Sequence, residues 1–187
     1  MKIIIVDKTN NFRLIPDSAL LLRNRPLFIP DSMQALHAKI ALVVKINRLG
    51  KHIQERFAPN YFDEIGCAIH FYDKDRLETL MQQGSPWERA TCFDGSFALS
   101  EFVKAPDHTG YPEISFYGNN DEKQTFETEQ IKQKLPAVIS ELSTCMTLKI
   151  GDYIALELGE AEGAPFKIND VLRVSLGDKE MVRVVLK

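Results

Sequence analysis

Short runs of β-branched residues, each closed within a few positions by turn-forming residues, recur along the whole chain and restrict it to a strand-rich fold. Ile3-Ile4-Ile5-Val6 is stopped by Asp7, and Lys39 to Ile46 reads Lys-Ile-Ala-Leu-Val-Val-Lys-Ile. Strands are therefore expected over Lys2 to Val6, Lys39 to Ile46 and, more deeply buried, Asp63 to Tyr72. Later runs give strands over Phe97 to Val103 (after the turn Asp94-Gly95), Tyr153 to Leu158, Val171 to Leu176 and Glu180 to Leu186. Gly177-Asp178 joins the last two as a two-residue loop with Gly first, the pattern of a type II′ turn. Gly118-Asn119-Asn120-Asp121 reads as a hairpin connection, and the polar stretch Lys104 to Pro112 as an exposed loop.

Helical spacing interrupts this pattern in a few places. Leu77, Leu80 and Met81 share one face of a helix over Lys74 to Gln83, which Gly84-Ser85-Pro86 stops. Pro86-Trp87-Glu88-Arg89 opens a short helix with Pro at its first position. Pro136 fits the same position of a helix running to Cys145, with Val138, Ile139 and Leu142 as its apolar stripe. The fold class expected is α+β, a mixed β-dominated core with two or three short helices, in a single domain over residues 1–187.

Composition narrows the functions open to such a fold. With 26 Asp+Glu against 23 Lys+Arg, and those bases scattered, the chain lacks the cationic face that nucleic acid requires. No apolar run approaches the roughly 20 residues of a membrane span, and the first run is too short for a signal peptide. Cys67, Cys92 and Cys145 are far apart with no CxxC pair, so they read as free thiols of a cytoplasmic protein. Acids are numerous enough for a carboxylate metal site, so their positions decide whether one exists.

Several stretches together resemble the fumarylacetoacetate hydrolase family, in particular its small single-domain bacterial hydrolases and isomerases. They are Pro16 to Leu21, Ile29-Pro30-Asp31, Ile46 to Lys51 (Ile-Asn-Arg-Leu-Gly-Lys), Pro86-Trp87, Phe93-Asp94-Gly95-Ser96 and Met146 to Asp152. The resemblance implies a twisted mixed β-roll, a homodimer, and a site for Mg²⁺ or Mn²⁺ held by three carboxylates. Two of those come from a Glu-x-Glu pair just after a His, where alternate strand residues reach one ion. In this chain His37 is followed by Lys39 and Ala41 at those positions. The third ligand, an Asp, is replaced by His70; the Arg that follows has become Lys74, and Asp75 alone is retained. Thr91 stands where the family has a Lys, and Leu156-Glu157-Leu158-Gly159 where it has a Thr-Gly-Thr-Pro loop, so that Glu157 is expected to repel an anionic substrate. The few residues between Val6 and Phe12 leave no room for the family's lid.

These substitutions lead to an expectation of a catalytically degenerate family member without metal or other cofactor. It would act by association, as a homodimer or with an active relative, or bind a small organic acid. The alternative is a hydrolase, isomerase or decarboxylase of 2-oxo acids, of acylpyruvate or 2-hydroxyhepta-2,4-diene-1,7-dioate type, using remodelled residues. Its candidate site residues are His37, Lys39, Lys74 and Asp75, with His70 beside them. His37 and His70 are open to two readings: ligands, with Asp73 or Asp75, of a transition metal, or a hydrogen-bonded pair lining a pocket. Lys39 is either a catalytic amine, a fixed positive charge near Glu157 or Asp75, or a solvated surface residue. Trp87 and Phe93 read as core anchors.

Overall fold

The computed structural model describes residues 1–21, 25–106, 110–119 and 122–187. Its elements run β1 (Ile3–Val6), β2 (Phe12–Ile15), β3 (Leu20–Leu21), β4 (Leu36–Lys45), β5 (Glu64–Asp73), α1 (Lys74–Gln82), α2 (Glu88–Thr91), β6 (Phe97–Leu99) and β7 (Val103–Lys104). They continue with β8 (Ile114–Tyr117), β9 (Lys123–Phe126), α3 (Glu129–Cys145), β10 (Tyr153–Glu160), β11 (Val171–Leu176) and β12 (Lys179–Val185). A large mixed sheet has the order β2-β1-β10-β4-β5-β6-β3, with β7 also on β5; a smaller antiparallel sheet has the order β12-β11-β8-β9. The expected mixed α+β class is what forms. No helix among the described residues is long and apolar enough to cross a membrane.

Both faces of the central strands are covered, which is why Ile40 to Val44 of β4 reads as a continuous apolar run rather than an alternation. The even-numbered Leu36, Ala38, Ile40, Leu42 and Val44 enter the main core with Ile65, Cys67, Ile69 and Phe71 of β5. The smaller sheet and α3 close that core from the other side through Ile114, Leu172, Val174, Leu135 and Ile139. The opposite face of the large sheet carries a second, smaller cluster built on Ile3, Ile5, Ile15, Ala41, Val43, Ala68, Phe97 and Ala155. The odd-numbered His37, Lys39 and Ala41 belong to that second face.

Several expected boundaries move: β4 begins at Leu36 rather than Lys39 and so takes in His37, β10 runs on to Glu160, and three further shifts have a definite physical reason. Helix α3 begins at Glu129 rather than at Pro136, which lies inside it. Proline in a helix interior costs about 3 kcal/mol. Burying Ile131 and Leu135 one turn apart returns roughly 1.5–3 kcal/mol each and carries the helix through it. The strand expected over Phe97 to Val103 divides into β6 and β7, because Leu99 faces Ala68 while Val103 faces Ile65. One strand thus spends an extra residue, and the Ser100 hydroxyl accepts the Cys67 N–H at 2.9 Å within the gap. Helix α2 starts at Glu88 with Trp87 at its cap, so Pro86 stands outside it. The loop at Gly177-Asp178 forms as expected, Gly177 having φ +59°. Of the expected hairpin connection, Asn120 and Asp121 lie outside the described residues, as do 107–109 of the exposed loop.

Gly50 shows why the Ile46 to Lys51 stretch tolerates no side chain there. Its N–H and C=O bond Leu148, and a Cβ would lie 2.4 Å from Tyr61 Cε1 and 2.7 Å from Ile53 Cδ1. Gly50→Ala is expected to cost about 1–3 kcal/mol by overpacking. Urea denaturation reads this as a lower midpoint at unchanged slope; an unchanged midpoint would show that Tyr61 can move aside freely.

Candidate active site

Pairing of β4, β5 and β10 places the unusual residues on one face. Lys39 is directly opposite His70, and Ala41 is directly opposite Glu157. The register of β10 against β4 slips between Glu157 and Gly159, so Glu160 faces Lys39. In a regular strand, residues three apart point to opposite faces; the bulge brings both acids to the same one. Arg13 enters from β2, where it pairs with Ile5 of β1.

Glu157 is the centre of the resulting group. Its side chain is 5% exposed, Arg13 Nη2 donates to its Oε1, and Lys39 Nζ donates to Oε2 at 3.1 Å. His70, 1% exposed, has Nδ1 3.6 Å from Glu157 Oε1 and 3.5 Å from Arg13 Nη2. Its Nε2 lies 2.9 Å from the Thr91 carbonyl. A carbonyl only accepts, so Nε2 carries the proton and Nδ1 presents its lone pair to Arg13. Burial, and the nearby Arg13 charge, push the His70 pKa down and keep the ring neutral near pH 7. Burial alone would raise the Glu157 pKa; the Arg13 and Lys39 charges outweigh it and hold the carboxyl at about 2. One carboxylate between two cations and a neutral imidazole leaves the group with one net positive charge. Arg13 Nε is buried with no hydrogen-bond partner among the described residues, so the group keeps a donor in reserve.

A cavity of about 160 Å³ opens onto this group, lined by Arg13, Lys39, His70, Tyr72 and Thr91, with the Asp7 carboxylate at its edge and Leu77, Met81 and Trp87 as its apolar side. Trp87 is 40% exposed. It is a wall of the cavity rather than the core anchor the sequence suggested. Phe93 does pack against the core.

The other expected site residues collect elsewhere. His37 Nδ1 is 3.3 Å from Glu160 Oε1, Lys74 Nζ is 2.8 Å from the same oxygen, and the Tyr72 hydroxyl also bonds Glu160. The Tyr72 ring separates this second group from the first, with Lys39 Nζ 5.5 Å from its centroid. His37 and His70 therefore do not pair with each other. Asp75 is exposed in the first turn of α1 and bonds neither group, acting on His37 and Lys74 only through its charge, while Asp73 caps that helix by accepting from Arg76 N–H and also accepts from Gln34 N–H. Glu157 does not stand free to repel an anion, because both its oxygens are bound by cations. Arg13 is the contributor that the sequence reading missed. Its signal was the alternation Phe12-Arg13-Leu14-Ile15, a single cation inside a short strand pattern.

A divalent cation does not fit this donor set. At the family's ligand positions stand an ammonium, a methyl group and an imidazole whose lone pair faces a guanidinium. Among the described residues no group of three His, Cys, Asp or Glu side chains could hold a metal. A divalent ion about 4 Å from Lys39 Nζ would meet repulsion of roughly 8 kcal/mol at an effective dielectric of about 20.

Comparison with known proteins gives a consistent picture. The family model described as fumarylacetoacetate (FAA) hydrolase C-terminal matches residues 6–180. The oxaloacetate tautomerase YcgM of Escherichia coli is 28% identical over 174 residues, covering 91% of this chain and 79% of that protein. A fumarylacetoacetate hydrolase family protein of Yersinia pestis superposes with a TM-score of 0.87 at 24% identity, over 100% of this chain and 92% of the other. The fumarylpyruvate hydrolase of Pseudomonas aeruginosa, solved with Mn²⁺ and pyruvate, gives 0.81 at 20% identity, over 100% and 90%. These relatives are named for catalysis. They correct the expectation of a member that has lost its reaction and acts by association, and they favour the enzymatic alternative.

Proposed function

Since this chain belongs to the fumarylacetoacetate hydrolase family, we propose that it is an enzyme of 2-oxo acids that moves a proton at the carbon beside the oxo group, interconverting keto and enol forms. The observation that carries this reading is the neutral His70, its Nδ1 lone pair held beside two cations on one carboxylate at the cavity wall. The oxaloacetate tautomerase name of the Escherichia coli relative supports the substrate class.

A 2-oxo acid presents a carboxylate next to a polarised carbonyl. Arg13, on the cavity wall, receives the carboxylate, and the Lys39 ammonium faces the oxo oxygen. His70 Nδ1 takes a proton from C3; the C–H electron pair becomes the C2–C3 double bond, and the carbonyl pair moves to oxygen. That oxyanion lies against Lys39, where its charge is stabilised as it develops. The imidazolium formed meanwhile is stabilised by Glu157 at 3.6 Å. Returning the proton to C3 restores the keto form, and delivering it to oxygen completes the enol. Leu77, Met81 and Trp87 limit water around the C3 side.

Nuclear magnetic resonance in deuterium oxide tests this directly, by following exchange at C3 of oxaloacetate or an acylpyruvate. Wild-type protein is expected to accelerate exchange. His70→Asn, which keeps an N–H for the Thr91 carbonyl, is expected to reduce it by about 10²–10⁴-fold. Exchange no faster than in buffer with any 2-oxo acid tried would remove the reading.

A further inference from the structure

We infer that the positive charge for which relatives use a bound metal is built into this chain, Lys39 and Arg13 standing in its place, and that the reaction runs without a divalent cation. The inference rests on the proposed 2-oxo acid reading for its reaction, but its structural half stands alone. Four residues interlock around Glu157. Lys39 occupies one ligand position and spends its ammonium on Glu157. Ala41, at the second ligand position, leaves the space into which Glu157 projects from the neighbouring strand. His70, at the third, has its Nδ1 lone pair 3.5 Å from Arg13 Nη2 at the cavity wall. Arg13 then binds the same carboxylate from the far side.

A substituted metal site without compensation would leave either an isolated buried cation or a cluster of repelling acids. Neither is present at this site: the Glu157 carboxylate stands on the neighbouring strand, and each of its oxygens has its own cation. The remaining unsatisfied group is a donor, the buried Arg13 Nε–H. A donor cannot ligate a cation, so this unsatisfied group adds nothing to a metal site. Chemically, an ammonium beside the oxo oxygen does what a Lewis acid does there, neutralising the developing enolate charge without a coordination sphere.

The test is Mn²⁺ titration of wild-type and Lys39→Glu protein after treatment with EDTA, read by calorimetry and by melting temperature. Wild type is expected to release no binding heat and to keep its melting temperature. Lys39→Glu places a second carboxylate beside Glu157 and His70 and is expected to gain binding, raising its melting temperature by about 5 °C at Mn²⁺ about a hundredfold above its Kd. C3 exchange by wild type is expected to be unchanged in EDTA. Micromolar Mn²⁺ binding by wild type, or exchange abolished by EDTA and restored by Mn²⁺, overturns the inference and leaves the 2-oxo acid reading intact. Absence of exchange under every condition removes that reading, while wild type silent to Mn²⁺ still supports the tethered charge. Should Lys39→Glu not fold, the wild-type titration alone decides.

Discussion

Glu157→Gln is expected to destabilise the folded chain by about 3 kcal/mol, the largest single effect at the site. The ordinary value of 4.5 falls to about 2 in the fold. A shift of that size at about 1.36 kcal/mol per unit gives about 3 kcal/mol, close to the 3–5 kcal/mol seen when one partner of a buried ion pair is removed. Gln preserves shape but leaves Lys39 and Arg13 facing each other without the intervening negative charge. The fall in melting temperature is expected to be roughly 6–12 °C. The pH dependence has a definite sign. Because folding lowers this pKa, the stabilisation is complete above pH 4.5 and is lost as pH falls toward about 2. Wild type and variant are therefore expected to converge in stability across that window, whatever the other acids contribute to both. Adding Lys39→Met to Glu157→Gln removes the repulsion and is expected to recover part of the loss. A variant as stable as wild type at pH 7 would show that Glu157 is not the hub of the charge group.

Lys39→Met is expected to act on rate rather than on stability. Lys39 is 27% exposed, and without it Glu157 keeps Arg13 as a partner, so the fold loses little. The enolate oxygen, by contrast, loses the charge placed to receive it. Removing one such group in other enzymes costs about 10²–10³ in kcat, and that range is expected here. The loss is expected mainly in kcat, because the interaction strengthens only as charge builds on the oxygen; KM, set largely by Arg13 and the carboxylate, is expected to change less. Lys39→Arg keeps the charge but spreads it over a planar group and is expected to recover only part of the rate. Unchanged kcat in Lys39→Met would assign Lys39 to anchoring Glu157 and nothing more.

The strands were readable because their signal is local. β11 falls where the branched residues of Val171 to Leu176 put it, and α1 where Leu77, Leu80 and Met81 recur at helical spacing. The first turns of α3, before Pro136, escaped because a local rule about proline was overridden by burial that only the tertiary structure supplies. The site was half legible. Lys39, Ala41 and His70 stood out because the family resemblance reserves those positions for metal ligands. Among the readings of Lys39, the fixed charge near Glu157 is the one the structure shows, whereas the arrangement around it was not legible because its members lie on other strands. Glu157 becomes the partner of Lys39 only through the pairing of β10 with β4, and its neighbour Glu160 reaches the same face only through an inserted residue that no alternation pattern reveals. Arg13 arrives across β1 from a four-residue strand whose role depends on the sheet order β2-β1-β10. Asp75 illustrates the converse: a residue retained in the pattern but exposed on α1, away from the charge group. Substitutions that read singly as losses are, in space, one rearranged ion group.

The most direct measurement is the ultraviolet decay of the enol of oxaloacetate, followed in EDTA with wild-type protein, with Lys39→Met and with buffer alone. Decay faster with wild type than in buffer, and slowed by about 10²–10³-fold in Lys39→Met, is the expected result. Wild-type decay at the buffer rate, or Lys39→Met as fast as wild type, would contradict a catalytic site built on Lys39, Arg13, Glu157 and His70.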